Sequence, residues 1–144
     1  IGTLVVLLTD GRGNVSRDGS PGRDAARAVV HDDGVDRVRR VRQVERLAAF
    51  IAAEVPAGAP LLVAGDFNDW SEKLDPVFTG AGLRRACTEQ LARVPTFPSI
   101  VPVLSLDRVY TRGLRCTSVM VPRGGAWARL SDHLPLVVEL EVTA

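Results

Sequence analysis

Three short stretches of the chain concentrate side chains able to do chemistry on a charged substrate. In Val63-Ala-Gly-Asp-Phe-Asn-Asp-Trp70 an apolar run gives way to Gly65 and then to Asp66 and Asn68. Alternation along an extended chain puts residues 66 and 68 on one side, so a carboxylate and an amide converge on one point. An Asp-x-Asn turn that hydrogen-bonds its own backbone is the competing reading. In Leu130-Ser-Asp-His-Leu-Pro135, Asp132 offers an oxygen ligand for a hard cation, and His133 is the side chain that changes charge nearest neutral pH. The sequence holds only two histidines, which gives this one more weight. A structural histidine satisfied within a turn is the alternative.

The third stretch, Ser105-Leu-Asp-Arg-Val-Tyr110, sets Asp107 inside a β-forming run. A carboxylate in a buried strand is costly unless it is paired. A histidine from elsewhere in the chain is one partner; Arg108 or Arg129 in a salt bridge is the other. Ser131, Asp132 and His133 cannot form a Ser-His-Asp triad, because the three side chains of a triad meet head to tail and sequence neighbours diverge. Taken together, these groups supply what a phosphodiester requires of its catalyst: charge neutralisation, an oriented water and a hydrogen-bond donor.

The elements that must position them follow from hydrophobic spacing. Residues 3 to 8 are continuously apolar after Thr3, as in a strand covered on both faces. Asp10 to Gly34 is rich in glycine and charge and predicts a mobile loop. From Val35, apolar residues at Val38, Val41, Val44, Leu47, Ala48, Ile51 and Val55 recur every three or four positions, which predicts an amphipathic helix ending before Pro56. Leu61 to Ala64 is a short buried strand that delivers Asp66 at its C-terminal end, where α/β sheets place their sites. Further expectations are a helical piece over 71–79 with Ser71 as N-cap and Gly80 as stop, and a short turn over 83–91. Two strands over 104–111 and 114–121 are expected to form a hairpin turning at Gly113, and a last strand over 134–142 to bury one face.

Composition narrows the class. The chain has 144 residues, 46% of them hydrophobic, enough for one domain with an ordinary core. Lys+Arg 18 against Asp+Glu 17 gives a net charge of +1, so bulk charge names no nucleic-acid or membrane partner. Only Lys73 is a lysine; the arginines that make up the rest suit bidentate phosphate or carboxylate contacts, although solvated surface arginines are the plainer reading. No run reaches the roughly 20 apolar residues that cross a bilayer. The apolar opening Ile1 to Leu8 has no basic region before it and reads as a buried strand, not a secretory signal. Its strand-like start without an initiating methionine suggests a chain that begins inside something larger, and a cytoplasmic setting is favoured. Cys87 and Cys116 lack metal-ligand spacing, and two buried free thiols are preferred to a disulfide.

Gly65-Asp-Phe-Asn68, Leu106-Asp-Arg-Val-Tyr110 and Ser131-Asp-His-Leu-Pro135, in this order and each at a strand edge, resemble the C-terminal signatures of the endonuclease/exonuclease/phosphatase superfamily. The likeness covers residues from about 35 to 142, including the Arg- and Gln-containing helix. It implies an α/β fold: the C-terminal half of a four-layer α/β/β/α sandwich, with a mixed sheet and flanking helices, and residues 1–144 as a single partial domain. It also implies a divalent-metal-dependent phosphoester hydrolase, nuclease-like or phosphodiesterase-like. In that scheme Asp66 activates or orients water and Asn68 holds water and phosphate. His133 contacts the scissile phosphoryl oxygen, and Asp107 orients His133. Asp132, with Asp66, binds Mg2+ or Mn2+. The implied partner is a phosphoester of nucleic acid, phospholipid or a small molecule, and an apolar sheet face left open by a half-domain would promote association. Two departures stand out. The superfamily's upstream asparagine and metal-binding glutamate have no counterpart here, and the usual His-Leu pair at the end of the first strand is replaced by Thr9 and Asp10. His31 is a displaced remnant of that site or a solvated loop histidine. The alternative function is a non-catalytic fragment of the same fold that binds a phosphorylated partner.

Overall fold

A computed structural model of the chain describes residues 4–8, 33–67, 69, 72–91 and 94–143. Its elements in chain order are β1 (Leu4–Leu8), α1 (Asp33–Glu54), β2 (Leu61–Asp66), α2 (Asp75–Gly80), β3 (Arg84–Arg85), α3 (Thr88–Leu91), β4 (Asp107–Arg112), β5 (Leu114–Met120), α4 (Gly125–Leu130) and β6 (Val137–Val142). The loop expected over 10–34 lies outside the described residues except for Asp33 and Gly34, which open α1.

Strands β1, β2, β4 and β3 form one mixed sheet in that order, with β1 parallel to β2 and the other pairs antiparallel. Both faces of β2 are used, as its unbroken apolar run requires. Leu61 and Val63 face α1 and pack with Val44, Ile51 and Val55. Leu62 and Ala64 face the other way, toward Val119, Val138 and Leu140 of the β5–β6 ribbon. The result is helix on sheet on ribbon, the layered α/β arrangement expected. The buried stripe of α1 begins at Val41, because Val38 is 52% exposed. The helix stops two residues before Pro56, where a proline would remove a donor and clash with the preceding turn.

Several local expectations give way to longer-range contacts. Gly113 does not close a hairpin. It has φ +64° and passes the chain from the first sheet into a separate ribbon, in which β5 pairs with β6. A Cβ there would take up a strained backbone and sit 3.5 Å from Pro60 Cα. The strand expected from 104 begins only at Asp107; Leu104 instead makes an isolated antiparallel bridge with Phe97. Helix α2 starts at Asp75, four residues later than expected, and Ser71 lies outside the described residues. The turn into it is tied by Asp69, whose carboxylate accepts the amides of Lys73 and Leu74. On β6, Val142 stays exposed, as does Val137, so the buried face is confined to Val138 and Leu140 with Leu136 leading in.

The cysteines are not free thiols. Cys87, just before α3, and Cys116, on β5, come to a Cα separation of 5.5 Å and form a disulfide that joins the two sheets' surroundings. Their separation of 29 residues in sequence conceals a proximity that only the stacking of ribbon on sheet creates.

The helix-side core centres on three aromatic rings. Phe78 and Tyr110 stack at 3.9 Å between centroids, and Phe67 meets both edge-on at 5.3 and 5.6 Å. The Tyr110 hydroxyl donates to Asp75 Oδ1 at 2.5 Å, which satisfies a polar tip inside an apolar cluster. Denaturant unfolding is expected to show Phe78→Ala costing about 3–5 kcal/mol. Tyr110→Phe should cost about 1–2 kcal/mol, since it removes one partner of a hydrogen bond to a charged group. A Tyr110→Phe cost as large as that of Phe78→Ala would show that the hydroxyl, not the ring, holds this cluster.

Candidate active site

The register of β2 on β4 places Asp66 directly opposite Asp107, with Ala64 opposite Val109 behind them. Side chains alternate across a strand, so Asp66 shares a face with Leu62 and Ala64, and Asp107 shares one with Val109. Both carboxylates therefore stand on the ribbon side of the sheet, at the carboxyl end of β2. His133 reaches them from the segment between α4 and β6. Its Nδ1 lies 3.0 Å from Asp107 Oδ2 and its Nε2 lies 3.4 Å from Asp66 Oδ2. Ionised carboxylates only accept, so Nδ1–H donates to Asp107. The side chains of Asp66, Asp107 and His133 remain 22%, 18% and 19% exposed, enough for a small group to reach them.

Opposing influences act on the imidazole. Burial alone would lower the His133 pKa. The hydrogen bond and charge of Asp107, followed by the charges of Asp66 and Asp132, outweigh it and hold the pKa above the ordinary histidine value. Arg108, considered above as a salt-bridge partner for Asp107, turns elsewhere: its guanidinium donates to the carbonyls of Ser105 and Asp69.

A loop unremarked in the sequence for this role holds the site from behind. Thr96 is 1% exposed, and its hydroxyl donates to Asp107 Oδ2. The Thr96 carbonyl accepts the amide of Leu134, the neighbour of His133. Ser99 donates its amide to the Asp132 carbonyl and its hydroxyl to the Ser131 carbonyl, both at 2.7 Å. The Phe97 ring lies 4.8 Å from the imidazole, centroid to centroid. The sequence carries one clue to this loop: the prolines at 95, 98 and 102 keep it from being a helix.

Of the five residues singled out from the sequence, Asp66, Asp107 and His133 meet. Asp132 is adjacent through the backbone but exposes its side chain, where Oδ1 accepts from Ser131. Asn68 lies outside the described residues. Among the described residues no three His, Cys, Asp or Glu side chains are grouped so as to hold a metal ion. Asp66 and Asp132 would give two carboxylates, and a hard divalent cation draws the rest of its six or so oxygen ligands from water, substrate or further protein. Beside the His133–Asp107 pair a groove of about 580 Å3 opens between sheet and ribbon, walled chiefly by Leu62, Ala64, Val109, Leu136, Val138 and Leu140.

Comparison with known proteins identifies the family and the fold. Residues 4–133 match the model of the Endonuclease/Exonuclease/phosphatase family. The chain belongs to that family. It is 38% identical over 111 residues to the uncharacterized protein YbhP of Escherichia coli K12, an alignment covering 76% of this chain and 44% of YbhP. A UPF0294 protein of Vibrio campbellii is 35% identical over 83 residues, covering 55% of this chain and 27% of that protein. This member of the family thus spans less than half the length of the curated relatives it matches. Among solved structures, an endonuclease/exonuclease/phosphatase from Bacteroides vulgatus aligns with a TM-score of 0.52 at 24% identity, covering 69% of this chain and 44% of the other. A mannosyl-6-phosphatase of Bacteroides thetaiotaomicron aligns with a TM-score of 0.52 at 18% identity, covering 71% and 45%. Both likenesses establish the fold. Among the described residues no helix is long and apolar enough to cross a membrane.

Titration of the His133 ring, followed by NMR, is expected to show a midpoint above the ordinary value of about 6.5. Asp107→Asn should lower that midpoint. Because the folded-state pKa is the higher one, the stability contributed by this group is present below the unfolded value and fades as pH rises through the folded one. A midpoint below 6.5 in the wild type would mean that burial, not the carboxylates, governs the ring.

Proposed function

We propose that this chain carries the C-terminal share of a phosphoester-hydrolase active site, dependent on a divalent cation such as Mg2+ or Mn2+. The observation that carries the reading is the line Asp66–His133–Asp107. Its central imidazole is drawn toward its charged form by its neighbours, and its Nε2 is near enough to Asp66 for charge attraction yet long for a hydrogen bond. Nε2–H therefore keeps a donor to offer to a phosphoryl oxygen, where negative charge builds as the bond breaks. Asp107 fixes the ring through Nδ1. Asp66 is placed to orient the attacking water, and Asn68, two residues further, is assigned to hold water and phosphate. Asp132, with Asp66, is assigned as an oxygen donor for the cation, whose shell water, substrate and residues beyond the described ones would complete.

Family membership supports hydrolysis of a phosphoester bond, the feature common to nucleic acid, phospholipid and small-molecule esters. The chain's coverage of less than half of YbhP supports a site completed by further sequence. The apolar groove beside the His133–Asp107 pair suits that role, since an open aliphatic wall next to a polar site is a seat for more protein.

The test is hydrolysis of a generic chromogenic phosphodiester with Mg2+ or Mn2+, comparing this chain with a version extended at its N-terminus to the length of its relatives. The extended protein should be faster by orders of magnitude, and His133→Ala in it should lose about 10²–10⁴-fold. Equal rates for the short and extended forms would refute completion of the site by further sequence. An extended protein that folds but hydrolyses nothing would instead favour a phosphate-binding descendant of the family.

A further inference from the structure

We infer that Thr96 is a positioning residue for the His133–Asp107 pair, holding one partner with its side chain and the other with its backbone. Its hydroxyl donates to Asp107 Oδ2, the same oxygen that receives His133 Nδ1–H. Its carbonyl accepts the Leu134 amide at 2.8 Å and so fixes the main chain next to His133. One residue thus sets the distance between acceptor and donor.

Three features make Thr96 rigid enough to do this. It is almost completely buried. Its own amide donates to the Leu104 carbonyl at 3.0 Å, and the reciprocal bonds between Phe97 and Leu104 lock the adjacent residue into a small antiparallel bridge. The β-branched side chain also restricts χ1, so the hydroxyl is aimed at low entropic cost. Asp107, by contrast, has a broad χ2 that a single hydrogen bond from His133 leaves soft. Two donors converging on one carboxylate oxygen fix that torsion, and through it the direction in which His133 presents Nε2. The arrangement extends the proposed hydrolase reading: the catalytic consequence depends on that reading, whereas the placement of the imidazole does not.

The experiment compares Thr96→Val and Thr96→Ser with wild type in the N-terminally extended protein, with two readouts. The first is the downfield His133 Nδ1–H proton resonance, which reports the bond to Asp107 whether or not the protein is active. The second is kcat and KM for a generic phosphodiester. Thr96→Val should shift or abolish the resonance and lower kcat by up to about 100-fold with KM little changed, as expected of a misaimed group. Thr96→Ser, which keeps the donor, should retain the resonance and most of kcat. A folded Thr96→Val protein with an unaltered resonance overturns the inference, as does Thr96→Ser losing the resonance as fully as Thr96→Val. Should the valine variant not fold, the wild-type Thr96 hydroxyl proton decides: slow exchange with water supports the bond to Asp107, and free exchange refutes it. An inactive wild type whose resonance still responds to Thr96→Val would sink the hydrolase reading and leave the positioning role standing.

Discussion

Two carboxylates held opposite each other on paired strands repel, and the site depends on how that repulsion is relieved. The β2–β4 register forces the confrontation, since Asp66 and Asp107 are cross-strand partners. Like charges in that relation destabilise a sheet. The imidazole of His133, lying between them and pulled toward its charged form by both, offsets the repulsion. The same geometry leaves one ring nitrogen committed to Asp107 and the other turned toward the more open end of the line.

Much of the surrounding fold can be read as the means of bringing one histidine to two aspartates. The aliphatic alternation of β2 secures its register against α1 on one face and the ribbon on the other. Gly113 carries the chain out of the sheet so that β5 and β6 stack over it rather than extending it. The segment from α4 to β6 then passes above the sheet's end, and the loop from Thr96 to Leu104 ties it down through Ser99 and Thr96. A disulfide adds a covalent link between the loop beside β3 and the ribbon. Electrostatic compensation at the site is thus supported by packing several residues away.

Local pattern made part of this legible. The 3.6-residue spacing of Val41, Val44, Ile51 and Val55 identified α1, and continuous apolarity identified β1 and β2. The three motifs at strand edges, in the order of the family's signatures, brought Asp66, Asn68, Asp107, Asp132 and His133 forward as a group, whereas the strand position of Asp107 alone left its partner open between a histidine and an arginine. What stayed hidden depends on proximity between residues distant in sequence. Nothing near Cys87 announces Cys116, and nothing near Thr96 announces Asp107. The chain's path at Gly113 was equally obscure: a glycine between two β-forming runs fits a hairpin as well as a crossing between sheets. The stacking of the ribbon on the sheet, a tertiary fact, decides it. Asp69 taking over the turn ahead of α2 shows the same limit at shorter range, since two carboxylate oxygens can hold two amides where a serine hydroxyl offers a single acceptor atom.

The parity of the β2–β4 pairing also bears on which changes of length this chain can absorb. Adding or deleting one residue between Leu61 and Asp66 would turn the apolar set to the wrong face and carry Asp66 away from the ribbon side. The turn through Ala57 and Gly58, which is exposed and has open space around Gly58, carries no such parity. Tolerance to single-residue insertions should therefore change sharply within four positions of sequence, from permissive at the turn to intolerant once the strand begins.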